Sequence, residues 1–207
     1  MLIAAMKLYL ATGNPHKIGE LTAMLAAARI EAQVFPPSAV GGMPPVVEDT
    51  GTFAGNAAKK ALALAMKLPR GTWAIADDSG LCVGALDGAP GVESAYFAGT
   101  PTNDAANNAK LLELLRDVPA AKRTATFQCT IVAAMPTGQT ESFEGRCRGR
   151  ILGEPRGTAG FGYDPLFVPE GYEQSYAELS APIKNVISHR GRALAQFVAW
   201  LQGRSTW

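Results

Sequence analysis

Residues 73–80 read Trp73-Ala74-Ile75-Ala76-Asp77-Asp78-Ser79-Gly80, four apolar side chains that stop on two carboxylates, a hydroxyl and a glycine. An unbroken apolar run of this length suits a buried strand. Polar groups that appear where such a run stops are placed where α/β proteins build their sites. Two adjacent acids repel one another unless a cation or hydrogen-bond donors sit nearby, so Asp77-Asp78 favours a functional role over a purely structural one.

Upstream, Lys7 to Ala11 is a short strand candidate, and Ile18, Leu21, Leu25 and Ala28 follow at helical spacing. Ala32 to Phe35 predicts a second strand. The loop through Pro36, Pro37, Gly41, Gly42, Pro44 and Pro45 leaves no room for a regular element, and an Ala-rich helix then covers about Thr52 to Leu68, stopped by Pro69 and Gly71. Downstream, the Gly88 to Gly91 loop leads to a helix over about Asn103 to Arg116. Thr124 to Met135 and Thr140 to Arg150 form a long hairpin around Pro136-Thr137-Gly138-Gln139. A glycine-rich loop from Gly153 to Gly162, a strand near Leu166 to Val168 and a last helix through Leu194, Phe197, Val198 and Leu201 complete the chain. The expected fold is α/β with a mixed sheet, in one domain spanning residues 1–207.

Composition narrows the function. With 207 residues, 47% hydrophobic and 18% charged, the chain is long enough for a substantial core and carries no internal repeat or low-complexity segment. A formal net charge of +1 gives no reason for nucleic-acid or membrane binding, so any polyanion must be met by a local basic cluster. The apolar start, Met1 to Met6, is too short for a signal-peptide core, and the cytoplasm is the expected compartment. Cys82, Cys129 and Cys147 are odd in number and lack C-x-x-C spacing; with only His16 and His189 available there is no zinc constellation, and reduced, buried or half-buried thiols are expected.

Several constellations could carry chemistry. Thr12-Gly13-Asn14-Pro15-His16-Lys17 joins the first strand to the first helix, where backbone N–H groups and the helix dipole favour an anion; a tight turn with a solvated lysine fits equally well. Glu48-Asp49 precedes the second helix, and with Asp77-Asp78 it gives carboxylates suited to Mg²⁺ and to polarising a water, although helix capping would also account for the first pair. Lys60 could serve such a site, yet Lys59 beside it is equally consistent with a solvated face. Phe161-Gly162-Tyr163-Asp164-Pro165 could stack a flat base or simply pack a core. Ser188-His189-Arg190-Gly191 precedes the final helix; the histidine suits a cap or the surface, and the arginine adds a directional fork of donors.

Taken in order, Thr12-Gly13-Asn14 with Lys17, Thr52-Phe53 with Asn56-Ala57 and Lys60, Ala76-Asp77-Asp78-Ser79-Gly80, Phe161 to Pro165 and Ser188 to Gly191 resemble the non-canonical purine NTP pyrophosphatases, also called inosine triphosphate pyrophosphatases. The resemblance covers about Lys7 to Trp200. It implies an elongated mixed β-sheet flanked by helices, two lobes with an active-site cleft between them, and a homodimer. It also implies that ITP, dITP or XTP is hydrolysed to the monophosphate and pyrophosphate with Mg²⁺. By the same resemblance, Thr12, Asn14, Lys17 and Lys60 hold the triphosphate, and Gly13, Pro15, His16 and Asn56 stand with them among the substrate-binding positions. Glu48 and Asp78 are the metal-associated acids, with Asp78 the base toward water; Ser79 touches substrate, and Phe161, Gly162, Tyr163, Asp164, Lys184, His189 and Arg190 form the nucleobase pocket.

Two positions depart from the family pattern. Gly55 stands where a glutamate is frequent, which removes a helix acid that could support the metal, and Tyr96 stands where many members carry arginine. Rival functions are a Maf-like pyrophosphatase acting on pyrimidine or modified nucleotides and a nucleotide-binding regulator without turnover. A serine hydrolase using Ser79 and His189 is disfavoured, since G-x-S-x-G is absent.

Overall fold

The computed structural model describes residues 6–203, with the side chains of Pro15 and His16 outside the description; of the apolar start, residues 1–5 lie outside the described residues. The strands are β1 (Met6–Leu10), β2 (Ala32–Phe35), β3 (Trp73–Val83), β4 (Thr124–Ala134), β5 (Thr140–Ile151) and β6 (Phe167–Pro169). The α-helices are α1 (Pro15–Ala27), α2 (Phe53–Ala65), α3 (Asp104–Leu114), α4 (Ala181–Ile187) and α5 (His189–Gln202). One six-stranded sheet runs in the order β2-β1-β3-β4-β5-β6. β1 is parallel to β2, with Leu8 opposite Val34, and to β3, with Tyr9 opposite Ala74, whereas β5 and β6 are antiparallel. The sheet is therefore mixed, as expected.

Two compact units are present, one of Met1–Asp78, Cys129–Glu144 and Gly191–Trp207, the other of Ser79–Gln128 and Gly145–Arg190. In the first unit, strand residues sort by parity, because successive side chains of a strand point to opposite faces. Leu8, Leu10, Trp73, Ile75 and Ile131 pack with Leu21 and Leu25 of α1 and Phe197 and Leu201 of α5. Their neighbours Tyr9, Ala11, Ala74, Ala76 and Val132 pack instead with Ala57, Ala61, Leu64 and Ala65 of α2. Helices cover both faces, which is why the strands read as continuous apolar runs. The small residues of α2 let it lie close to the sheet. Thr52 starts it by accepting a hydrogen bond from the Gly55 N–H at 3.1 Å. Leu64 is fully buried, and truncation to Ala would cost about 2–5 kcal/mol.

The second unit has its own core, in which Leu81, Val83, Phe127 and Phe167 of the strands meet Leu111 and Leu115 at α3, together with Tyr176. Asn103 caps α3 by accepting from the Ala106 N–H at 3.0 Å. The hairpin between β4 and β5 is closed by the Met135 N–H donating to the Gln139 carbonyl at 2.9 Å.

Four expectations change. β3 does not stop at Ala76 but continues through Asp77 and Asp78 to Val83, because apolar residues resume at Leu81 and both acids find cationic partners. A 3₁₀ turn, Pro37–Val40, occupies the loop expected to be irregular; Pro37 provides the fixed φ of its first residue and Gly41 closes it at φ 82°. α4 is a further short helix. His189 and Arg190 are the first residues of α5 rather than a segment preceding it.

Candidate active site

The parity of β3 separates its two acids. Asp77 continues the face of Trp73 and Ile75, which α1 covers, and pairs with Lys17 in the first turn of α1 at 2.8 Å. Lysine at that end opposes the helix dipole, and Asp77 supplies the compensating charge, so Lys17 is not the solvated lysine of a simple turn. The turn before it is fixed by the Asn14 N–H donating to Thr12 Oγ1 at 3.1 Å; Gly13 between them is exposed. The side chains of Pro15 and His16, both assigned to substrate binding, lie outside the described residues.

Asp78 continues the face of Ala74 and Ala76, which α2 covers, and meets Asn56 and Lys60, one turn apart on that helix. Lys60 Nζ lies 2.9 Å from Asp78 Oδ1 and 2.8 Å from Glu48 Oε2, while Asn56 Nδ2 donates to Asp78 Oδ2 at 3.3 Å. Both carboxylate oxygens of Asp78 are thus held. Asp49 pairs with Lys59, and Thr52 caps the helix, so neither Glu48 nor Asp49 is a capping residue. Lys60 turns inward and Lys59 is the more exposed of the two, which separates the site lysine from the surface one.

Burial pulls the Lys60 ammonium down, but Asp78 and Glu48 outweigh it and the net direction is up. For Asp78 burial dominates and pushes the carboxyl above the ordinary aspartate range; Lys60 and Asn56 oppose the shift, and Glu48 adds to it by like-charge repulsion. Among the described residues no group of three or more His, Cys, Asp or Glu gathers as a metal cage. Glu48 and Asp78 nevertheless converge on one ammonium. Two carboxylates aimed at one point, completed by substrate phosphates and water, fit the all-oxygen shell that Mg²⁺ takes.

The second unit holds a different cluster. Asp164 is buried and accepts from the Phe161 N–H at 2.8 Å and from Lys184 Nζ at 2.5 Å. Burial pushes its carboxyl up, against Lys184, the Phe161 N–H and Arg190. The loop must pass close to this group: a Cβ on Gly160, at φ +80°, would lie 2.0 Å from Asp164 Oδ2. Lys184 Nζ lies 5.2 Å and Arg190 Cζ 5.5 Å from the centre of the Phe161 ring. Arg190 also donates to Ser79 Oγ at 3.0 Å. Phe161, Asp164, Lys184, Arg190 and Ser79 are therefore brought together.

Tyr163 is not part of that surface. It is buried, and its hydroxyl donates to the Ser94 carbonyl at 2.9 Å, so core packing accounts for it. His189 is neither a surface residue nor a simple cap: it is buried and stacks on Phe127 at 4.6 Å with planes 8° apart. Gly162 is held from both sides, its N–H donating to Asp104 at 2.7 Å and its carbonyl accepting from Asn108 at 2.9 Å. Asp104 and Asn108, both on α3, are not among the residues that the sequence singles out. Cys82, Cys129 and Cys147 are free thiols, as expected.

The Ham1 family profile matches residues 8–200. The chain belongs to the Ham1 family. A dITP/XTP pyrophosphatase of Opitutus terrae is 56% identical over 199 residues, covering 94% of this chain and 98% of that protein. A dITP/XTP pyrophosphatase of Desulforamulus reducens is 53% identical, covering 91% and 92%. The structure of a HAM1 protein from Coxiella burnetii superposes with a TM-score of 0.87 at 36% identity, covering 96% of this chain and all of that one (100%). All five motifs behind the resemblance fall within the span matched to Ham1. No described helix of this Ham1 chain is long and apolar enough to cross a membrane.

Proposed function

We propose that the protein hydrolyses non-canonical purine nucleoside triphosphates, ITP, dITP and XTP, to the monophosphate and pyrophosphate. The observation that carries this is Asp78, buried on β3, gripped at one oxygen by Lys60 and at the other by Asn56, with Glu48 on the same lysine. Glu48 and Asp78 would hold Mg²⁺, which when bound neutralises charge on the phosphates. A carboxylate raised by burial is a stronger base than an exposed aspartate, which suits Asp78 to orient a water and take its proton. The water oxygen then bonds to the α-phosphorus as the bond to the bridging oxygen breaks, and pyrophosphate leaves. Lys17 and Lys60 face the charge that builds on it, with the helix-terminal N–H groups after Thr12.

Base selection would fall to the second unit. Phe161 offers a ring face, and the donors of Lys184, His189 and Arg190 suit the 6-keto oxygen of hypoxanthine or xanthine. Adenine presents an amino group there and would leave those donors unpaired. We treat residues 1–207 as one pyrophosphatase domain, acting as a cytoplasmic homodimer; continuity of β3, β4 and β5 through both units supports the first of these, and the family resemblance the others. The deciding assay measures pyrophosphate from inosine, xanthosine, adenosine and guanosine triphosphates with and without Mg²⁺. Release from the first two that requires Mg²⁺ is expected. No release from any of them would leave a nucleotide-binding regulator.

A further inference from the structure

Gly55 stands at a position where a glutamate is frequent in the family, and the space beside it is filled by Thr50. A Cβ at residue 55 would lie 2.4 Å from Thr50 Oγ1, 2.6 Å from Thr50 Cβ and 2.9 Å from Thr52 Oγ1. Thr50 takes that space and puts it to use. Its backbone N–H and its hydroxyl both reach Asn56 Oδ1, at 3.2 Å and 2.8 Å. The hydroxyl has one proton, and of its two carbonyl acceptors Asn56 Oδ1 is nearer than the Thr52 carbonyl at 3.1 Å.

This decides which way the Asn56 amide faces. Asn56 is 1% exposed, so water cannot repair a wrong orientation. If the amide were turned over, its NH₂ would meet the Thr50 N–H, donor against donor, and its oxygen would meet the Asp78 carboxylate, acceptor against acceptor. As it stands, the oxygen collects both Thr50 donors and the NH₂ is committed to Asp78 Oδ2 at 3.3 Å. Lys60 already holds the other oxygen, so the amide removes the remaining rotational freedom of the carboxylate.

We propose that Thr50 is a positioning residue: by donating to the Asn56 carbonyl it aims the Asn56 amide at Asp78 and holds that carboxylate in place. The inference rests on the role given to Asp78 under the proposed function. Thr50, as it stands, occupies the space that a side chain at residue 55 would need.

Thr50 is exposed, so substitutions there should leave the core intact. Thr50→Val and Thr50→Ala remove the hydroxyl donor, and Thr50→Ser keeps it. With inosine triphosphate at saturating Mg²⁺, Val and Ala should lower kcat by roughly three- to tenfold, the scale of one hydrogen bond, with KM within about twofold. Ser should stay within about twofold of wild type in kcat. In the substrate-free protein, the Asn56 side-chain NH₂ resonances should be dispersed and slow to exchange in wild type and Thr50→Ser, and should shift and exchange faster in Thr50→Val, where only the backbone N–H still donates to the Asn56 carbonyl. Equal kcat losses in Ser and Val, or an unchanged Asn56 amide in Val, would overturn the proposal. A wild-type protein that releases no pyrophosphate would instead overturn the proposed function, and the amide resonances would still decide whether Thr50 aims Asn56.

Discussion

The two units hold charge in different ways. Around Asp77 and Asp78 each lysine faces at least one carboxylate: Lys17 meets Asp77, Lys60 meets Asp78 and Glu48, and Lys59 meets Asp49. Around Phe161 there is one ion pair, Lys184 with the buried Asp164; Lys184 and Arg190 also lie over one aromatic ring, Asp164 is hydrogen-bonded to the loop backbone, and Arg190 is tied to a neutral hydroxyl. Ion pairs of the first kind can exchange partners: an incoming polyanion takes the lysines and its cation takes the carboxylates, with little net change in buried charge. In the second arrangement the one ion pair is buried and its carboxylate is tied to the loop backbone, so the ring and its cations present a fixed shape. On the proposed function, the first arrangement suits phosphate chemistry and the second suits reading a base.

If that contrast holds, the largest effect of any single change belongs to the first unit. Asp78→Asn keeps the shape and loses charge and basicity, so kcat should fall by about 10²–10⁴-fold, the usual contribution of a positioned general base. Asp77→Asn, on the opposite face of β3 and paired with Lys17, should lose far less. Rate measurements at saturating Mg²⁺ decide between them. Near-normal kcat for Asp78→Asn would reduce it to a metal ligand, and a dead Asp77→Asn would reverse the assignment.

In the second unit the largest effect should appear in stability. Lys184→Ala leaves Asp164, whose side chain is 5% exposed, without its ammonium, and breaking such a buried pair costs about 3–5 kcal/mol. The pH dependence has a definite sign. Burial already holds the Asp164 carboxyl above its unfolded value, and removing Lys184 raises it further. A group with a raised folded pKa contributes stability below its unfolded pKa and loses it as pH rises through the folded one. The deficit relative to wild type should therefore be largest at neutral pH and shrink in acid as Asp164 takes a proton. Urea melts of both proteins from mildly acidic to neutral pH measure it. A deficit that grows in acid would mean that Asp164 is not the charge left behind.

A smaller effect is expected at His189. Its ring is buried and one face is stacked flat on Phe127, so that face is committed to packing. His189→Ala should narrow the preference for inosine over adenosine triphosphate, measured as the ratio of the two kcat/KM values. A preserved ratio with lower activity for both would leave discrimination to Lys184 and Arg190.

Much of this was legible in the chain because it rests on short-range pattern. β2 falls where Ala32 to Phe35 was expected, and Thr52 starts α2 as a capping threonine should. The fate of the acids was not legible, because a strand may carry charge only if partners distant in sequence neutralise it. Lys17 is 60 residues from Asp77 and Lys60 18 from Asp78. α4 escaped because it is a single short element with Ile183 and Val186 exposed, so no apolar stripe marks it. Asn56 stood in a recognised motif, but its task of gripping Asp78 depends on Thr50, which no motif included.

The smallest effect is expected at Tyr96, where many family members carry arginine. The contrast between the units gives the reason. Tyr96 ends the 3₁₀ turn Gly91–Tyr96 and is 55% exposed. The inward task in that turn falls to Ser94, which is buried, accepts from the Leu81 N–H at 2.9 Å and receives the Tyr163 hydroxyl on its carbonyl. Tyr96 is not part of the second unit's core cluster, so Tyr96→Arg should change the folding free energy by no more than ordinary surface substitutions do, about 0.5 kcal/mol, as a urea melt would measure. If the base platform is already framed by Lys184 and Arg190, a further cation at an exposed position adds only a solvent-screened charge, and kcat/KM for inosine triphosphate should change by less than about twofold. A tenfold gain would show that a functional contact is missing at this position and that the ring and its two cations do not complete the platform.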